Sequence, residues 1–292
     1  MNRLVEALHS GRVLVMDGAM GTELQRRGLT ESEPPEQWNL FHPEQVARVH
    51  GAYLDAGAEV LVTNTFQANP EALGKHGLGN RIEEIWQAAL SLARNARNSA
   101  PFVLADIGPT AHLTAAMRTS ICNFGRTADG FLFETWPAEP AVMEMLLPTN
   151  QLELKPRLPL LVSFTFRKTA HASKLTAAAA QALQHARARM LFGKPLGALG
   201  ANCGRDIDMD DLLEIVRAYR EETDLPIFIR PNAGTPRRTA AGWEYPRSPE
   251  EMADKLWPLL EAGVTMVGGC CGTTPVHIAA FRGVVDEWNA RK

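Results

Sequence analysis

The chain has 292 residues, 45% of them hydrophobic, and a net charge of -3 from 30 basic and 33 acidic side chains. That size and apolar content support a full core, while near-neutral charge without a basic block argues against nucleic acid or an anionic membrane as partner. No apolar run approaches the roughly 20 residues of a membrane span and the first ten residues lack a signal-peptide core, so the chain reads as cytoplasmic. There its 4 cysteines stay thiols, which suits metal binding or catalysis better than disulfides.

Val13 to Met16 reads as a short strand ending in Asp17-Gly18-Ala19-Met20-Gly21-Thr22, a turn of small residues with one carboxylate at its tip. Helix capping and ligand binding both stand as roles for Asp17. His42 to Ala56 is apolar at 46, 49, 53 and 54 and stops at Gly57, a helical pattern with a C′ glycine. The second strand, Glu59 to Phe66, runs into Thr63-Asn64-Thr65-Phe66-Gln67, whose side chains either solvate a loop or meet a ligand. A helix over Asn80 to Asn98 and a third strand over Phe102 to Ile107 follow, the latter ending in Gly108-Pro109-Thr110.

Between Pro109 and Asp129 there is space for only a short, weakly patterned helix around Cys122, so the third helix is expected to be shortened. About a dozen residues still suffice for a right-handed crossover. Gly130 to Phe133 is strand four, ending at Glu134-Thr135-Trp136; Glu134 is either a surface carboxylate or a group that binds an ammonium. Prolines at 140, 148 and 156 keep the next helix short. Strand five spans Leu160 to Phe166, an alanine-rich helix lies within Leu175 to Met190, and strand six, Leu196 to Ala201, delivers Asn202-Cys203.

An amphipathic helix over Asp208 to Tyr219 leads to strand seven, Pro226 to Ile229, and then Arg230-Pro231-Asn232. Asn232 is placed either to close an Asx turn or to offer its amide oxygen to a neighbouring metal. Ser248-Pro249-Glu250-Glu251 is a capping box, and strand eight, Val264 to Val267, precedes Gly268-Gly269-Cys270-Cys271-Gly272-Thr273. Thr274-Pro275 then supplies the N-cap and first residue of a final helix towards Trp288. Eight strands alternating with helices, in a single domain spanning 1–292, predict a (β/α)8 TIM barrel, which needs about 250 residues.

Cys203, Cys270 and Cys271 all follow strand ends, where such barrels keep their chemistry. Zinc accepts thiolates, and three protein ligands leave one tetrahedral corner open. The alternative is three small buried hydrophobes, since the spacing is not a paired C-x-x-C. Adjacent glycines weigh against packing, because they let other groups approach at the cost of packing surface. The 8 histidines show no ligand spacing with the cysteines.

Asp17 to Thr22, Asn202-Cys203 and Gly268 to Pro275 together resemble the homocysteine S-methyltransferase family, from the first strand to the last. That family includes the homocysteine domain of cobalamin-dependent methionine synthase and stand-alone enzymes using S-methylmethionine or betaine. The resemblance implies zinc on the three cysteines, Asp17 and Gly18 at the amino-acid end of homocysteine, Glu134 at its amine, and substrate contact from Asn64 and Thr65. It also implies methyl transfer to the homocysteine sulfur, giving methionine. Eight βα units fill nearly the whole sequence, so a small donor, S-methylmethionine first, is expected, with Phe66 and Trp136 against its positive charge. Asn64-Thr65-Phe66, Lys75 to Leu78 and Asp106 to Thr110 are most similar to the methionine synthase domain, which keeps open a subunit served by a separate corrinoid protein. A non-catalytic zinc-binding scaffold is the third reading, and a partner subunit is expected wherever the short third helix leaves apolar surface uncovered.

Overall fold

Side chains on each strand alternate between two apolar surroundings, and that alternation builds the molecule. In the computed structural model, residues 2–96, 102–110, 127–138, 158–168, 178, 196–204, 206–239 and 242–292 are described. The strands are β1 (Leu14–Val15), β2 (Val60–Val62), β3 (Phe102–Ile107), β4 (Gly130–Pro137), β5 (Leu160–Thr165), β6 (Leu196–Asn202), β7 (Ile227–Arg230), β8 (Arg237–Thr239), β9 (Gly242–Glu244) and β10 (Val264–Val267). Eight of them form one parallel sheet in the order β1-β10-β7-β6-β5-β4-β3-β2. Its edges meet: Met16 bridges Val60, Glu59 N–H donates to Val15 O at 2.7 Å, and Asp17 N–H donates to Val60 O at 2.9 Å. The sheet is therefore a closed barrel, as the alternation of elements predicts, with no edge left to pair.

Inward positions Leu14, Met16, Val60, Val62, Leu104, Leu132, Leu161, Ala198, Phe228 and Met266 fill the barrel. Outward positions such as Val103, Phe131, Val162, Leu199 and Ile229 pack under the helices in a second core. The helices are α1 (Arg3–Leu8), α2 (Met20–Gln25), α3 (Trp38–Phe41), α4 (Pro43–Asp55), α5 (Pro70–Gly74), α6 (Ile82–Arg94), α7 (Met209–Glu222), α8 (Pro249–Ala253), α9 (Leu256–Glu261) and α10 (Pro275–Ala290). Among the described residues none is long and apolar enough to cross a membrane.

Three features go beyond the sequence reading. Helix α1 puts Leu4 and Leu8 into the N-terminal end of the barrel, held by an Asn2 side chain that accepts from Leu4 N at 2.9 Å. Strands β8 and β9 form an antiparallel hairpin beyond β7, and the helix after Ser248 is divided into α8 and α9. The predicted capping box at Ser248 and the Thr274 N-cap are both present. The shortened third helix, Cys122 and all of the alanine-rich helix but Ala178 lie outside the described residues.

Candidate active site at the C-terminal end of the barrel

Two residues beyond the apolar layer, the same inward register changes chemistry: Leu104 gives way to Asp106, Leu132 to Glu134, and Phe228 to Arg230. A period of two delivers all three side chains to the axis. Arg230 donates to Asp17 Oδ1 at 3.2 Å and Gly18 O at 3.3 Å, and also pairs with Glu134. All four charged side chains are buried. Burial pushes Asp17 up to about 7, opposed by the Arg230 charge and by Val62 N–H, which donates to its Oδ2 at 2.7 Å. Glu134 is raised by the same cause against the pull of Arg230. Asp106 is driven well above the carboxylate range by burial and then by the Glu134 charge, and it hydrogen-bonds Glu134. Burial pulls Arg230 down, but Glu134 and Asp17 outweigh it and keep the guanidinium charged.

Cys203 follows β6, and Cys270 and Cys271 follow β10, so the three flank β7. Their sulfurs all lie within 4.8 Å of one another, with Cys270 and Cys271 at 4.0 Å. Backbone bonds fix the loops: Cys203 N donates to Arg230 O at 3.3 Å, Cys270 N to Pro231 O at 2.8 Å, and Ala233 N to Cys271 O at 2.9 Å. Cys203 has a φ of 54°, a left-handed conformation rare outside glycine, which commits the loop to presenting this thiol. A side chain at Gly269 would collide with Thr273, and one at Gly272, φ 81°, with the Tyr245 ring, so both glycines permit close approach rather than fill space.

Asn202 anchors the cluster from below. Its Oδ1 accepts from Thr135 N at 3.0 Å and Ser163 Oγ at 2.5 Å, while its Nδ2 donates to Thr135 Oγ1 at 2.7 Å and Cys270 Sγ at 3.7 Å. Asn232 Nδ2 reaches Cys203 Sγ at 3.6 Å, and Asn232 Oδ1 is buried without a partner. Hydrogen bonds from Cys270 and Cys271 hold the Cys203 thiol far below its usual range, and in return Cys270 is pushed well up and Cys271 up to about 12.

The thiols and the buried charges open into one cavity of about 530 Å³. Its outer wall includes Trp243 and Tyr245 from the hairpin, with Trp243 Nε1 donating to Glu31 Oε1 at 3.1 Å across the mouth.

Residues 14–285 match the family described as homocysteine S-methyltransferase, which takes in every strand of the barrel. The chain belongs to the homocysteine S-methyltransferase family. Methionine synthase of Mycobacterium tuberculosis is 30% identical over 92% of the chain, and that of Mycobacterium leprae 29% over 98%. The chain spans about a quarter of the length of each, 24% and 25%. Among solved structures, the Escherichia coli homocysteine methyltransferase MmuM in its metallated form aligns with a TM-score of 0.70 at 25% identity, over 95% of this chain and 99% of that one. Its oxidised form aligns at 0.73 and 26%, covering 97% and 99%.

The donor set fits the metal that this methyltransferase family uses. Zinc–sulfur bonds of about 2.3 Å in a tetrahedron place sulfurs about 3.8 Å apart, close to the 4.0 Å between Cys270 and Cys271. A half-turn of the Asn232 amide would bring its orphaned oxygen to the cluster. Of the other expected site residues, Asp17, Gly18, Glu134 and Asn64 line the cavity. Asn64, however, spends its amide on Pro35 O at 2.8 Å and Asn39 Oδ1 at 3.1 Å. Thr65 does not line the cavity; its hydroxyl bonds Asp106 O at 2.8 Å and Thr63 Oγ1 at 2.7 Å.

Trp136 is a correction. Thr135 has a φ of 62° and the β4–β5 register shifts between Phe133 and Trp136, so the indole turns outward. It packs edge-on against Phe133 and donates to Ile107 O at 3.1 Å. Phe66 does line the cavity, and Trp243 supplies the second aromatic wall. Sequence reasoning missed Arg230, Asp106 and Glu36 as site residues, although the first two stand at inward register two residues past an apolar position.

Proposed function

We propose that this chain transfers a methyl group to the sulfur of homocysteine, giving methionine. The observation that carries this reading is the convergence of three cysteine sulfurs and the Asp17–Arg230–Glu134 cluster in one cavity. One part suits a thiol and the other an amino-acid head group. Cys203, Cys270 and Cys271 hold zinc, and Asn232 is the protein group available for the fourth position when substrate is absent. Bound there, zinc supplies the positive charge that keeps a substrate thiol ionised, where a free thiol of pKa about 8.5 is only about 3% thiolate at pH 7.

The chain's own groups do the rest. Asp17 and Gly18 meet the amino-acid end of homocysteine, and Glu134 accepts from its ammonium in a charge-assisted hydrogen bond. Arg230 keeps both carboxylates in place. The positive end of α10, starting at Pro275, offsets negative charge at Cys270 and Cys271. Tyr245, hydrogen-bonded to Cys271, and Trp243 wall off water from the reacting sulfur. Holding donor and thiolate together supplies much of the acceleration.

S-methylmethionine is the donor placed first. Phe66 and Trp243 line the cavity and offer aromatic faces to an onium charge. The likeness to mycobacterial methionine synthases favours a second reading, in which the barrel activates homocysteine for a corrinoid protein that brings the methyl group. The test incubates zinc-loaded protein with homocysteine and, separately, S-methylmethionine, betaine, S-adenosylmethionine and methylcobalamin, following methionine by mass spectrometry. Methionine formed from S-methylmethionine is expected; methionine only with methylcobalamin or a corrinoid protein selects the second reading.

A further inference from the structure

Thr135 follows Glu134 on the cavity wall and is partly exposed to the cavity. Its neighbours fix the direction of the hydrogen bonds it makes. Asn202 Oδ1 accepts from Thr135 N–H at 3.0 Å, and because a backbone N–H can only donate, the Asn202 amide has a single orientation. Its Nδ2 therefore donates to Thr135 Oγ1, at 2.7 Å. Ser163, fully buried, donates its hydroxyl to the same Oδ1 at 2.5 Å and holds the amide from the other side.

A hydroxyl that accepts from an amide still has its own proton to give. Among the described residues, no acceptor takes that proton from Thr135. Asn202 Nδ2 also donates to Cys270 Sγ at 3.7 Å, so the Thr135 oxygen and this sulfur share one amide nitrogen. The spare proton is thus available beside the cysteines. A β-branched residue at a φ of 62° is a strained choice, of the kind that clusters at binding sites.

We propose that Thr135 donates this proton to the sulfur of homocysteine and so distinguishes the substrate's thiolate from the product's thioether. The inference rests on the proposed function, which sets the substrate's amino-acid end at Asp17, Gly18 and Glu134 and its sulfur at the cysteines. Of the substrate's two acceptors, the carboxylate lies with that amino-acid end. Thr135 instead bonds Asn202, the last residue of β6, which Cys203 follows. A thiolate accepts a charge-assisted hydrogen bond, roughly twice as strong as a neutral one, whereas a thioether is a weak acceptor. The bond is therefore made to the methyl acceptor and largely lost once the methyl is on the sulfur, which favours exchange of product for substrate.

Calorimetric titration of zinc-loaded wild type, Thr135→Val and Thr135→Ser with homocysteine and with methionine tests this. Valine keeps the branched shape without the proton; serine keeps the proton. Thr135→Val is expected to weaken homocysteine binding about 10-fold or more, the worth of one hydrogen bond to a charged group, and methionine binding less than about twofold. Thr135→Ser is expected to stay close to wild type for both. Equal loss of both ligands in Thr135→Val would place the hydroxyl on the carboxylate they share and overturns the proposal. Unchanged homocysteine binding overturns it as well. Failure of wild type to bind homocysteine is a distinct result that overturns the proposed reaction, and this contact with it. Because valine also removes an acceptor from Asn202, zinc content is measured on each variant. Should Thr135→Val lose metal, a crystal structure of wild type with zinc and homocysteine decides: Thr135 Oγ1 within hydrogen-bond distance of the substrate sulfur is expected, and a hydroxyl turned to the carboxylate or to solvent overturns the proposal.

Discussion

Phe228 and Arg230 face the barrel axis from the same strand, two residues apart, in very different surroundings. Phe228 presses against Gly200, where any side chain would strike its ring, and belongs to the apolar layer closed below by Leu4 and Leu8. Arg230 stands among Asp17, Glu134 and Asp106, charges that the barrel buries at a desolvation cost. One end of the barrel is thus arranged for packing and the other for binding. The switch needs no change of backbone, only a change of residue type at constant register.

If the binding end alone carries the chemistry, Cys203→Ala, Cys270→Ala and Cys271→Ala each remove both metal and methyl transfer to background, as read by metal analysis and methionine production. The fold is expected to survive, since its apolar layer is untouched. A stoichiometric metal content after Cys203→Ala would break the assignment.

The neighbouring pair sharpens the contrast. Phe228→Ala is expected to cost about 3–5 kcal/mol of stability in urea unfolding while leaving the homocysteine Kd of the folded protein unchanged. Arg230→Met also costs about 3–5 kcal/mol, because it leaves Asp17 and Glu134 buried without their cation, and it abolishes homocysteine binding as well. Equal binding by wild type and Arg230→Met would remove the distinction between the two ends.

Proton linkage gives a smaller effect with a definite sign. Asp17 is pushed up to about 7 from an ordinary 3.8, so between those values the folded chain keeps a proton that the unfolded chain has released. Stability therefore falls as pH rises from about 4 to about 7, and Asp17→Asn flattens that part of the curve. An unchanged slope in urea titrations across this window would contradict the assignment. The smallest change belongs to the packing end: Asn2→Ala removes the α1 cap, costs about 1 kcal/mol, and leaves metal content and homocysteine affinity as they were.

The barrel was legible because its strands alternate with helices and because the final motif, from Val264 to Pro275, carries strand, turn, N-cap and first helical residue in order. The cysteines were legible for the same reason, standing just beyond strand ends. Arg230 escaped notice as a site residue because a cation after an apolar strand reads as surface; only the inward register, set by Phe228, buries it. Trp136 misled because a positive φ at Thr135 breaks the alternation and turns the indole outward, which residue type does not announce. Helix α1 and the β8–β9 hairpin are too short for their periodicity to separate them from loop. Glu36 becomes visible only through its position, since its turn meets the cavity by way of Asn64 and Gln67, distant in sequence.

The central claim is that three cysteine sulfurs at the binding end hold a metal with room for the substrate's sulfur. Zinc-edge X-ray absorption of the loaded protein, before and after homocysteine, tests it most directly. The account predicts three sulfur neighbours, from Cys203, Cys270 and Cys271, rising to four when homocysteine is added. A count that stays the same on adding homocysteine, or four sulfurs before it is added, would contradict it.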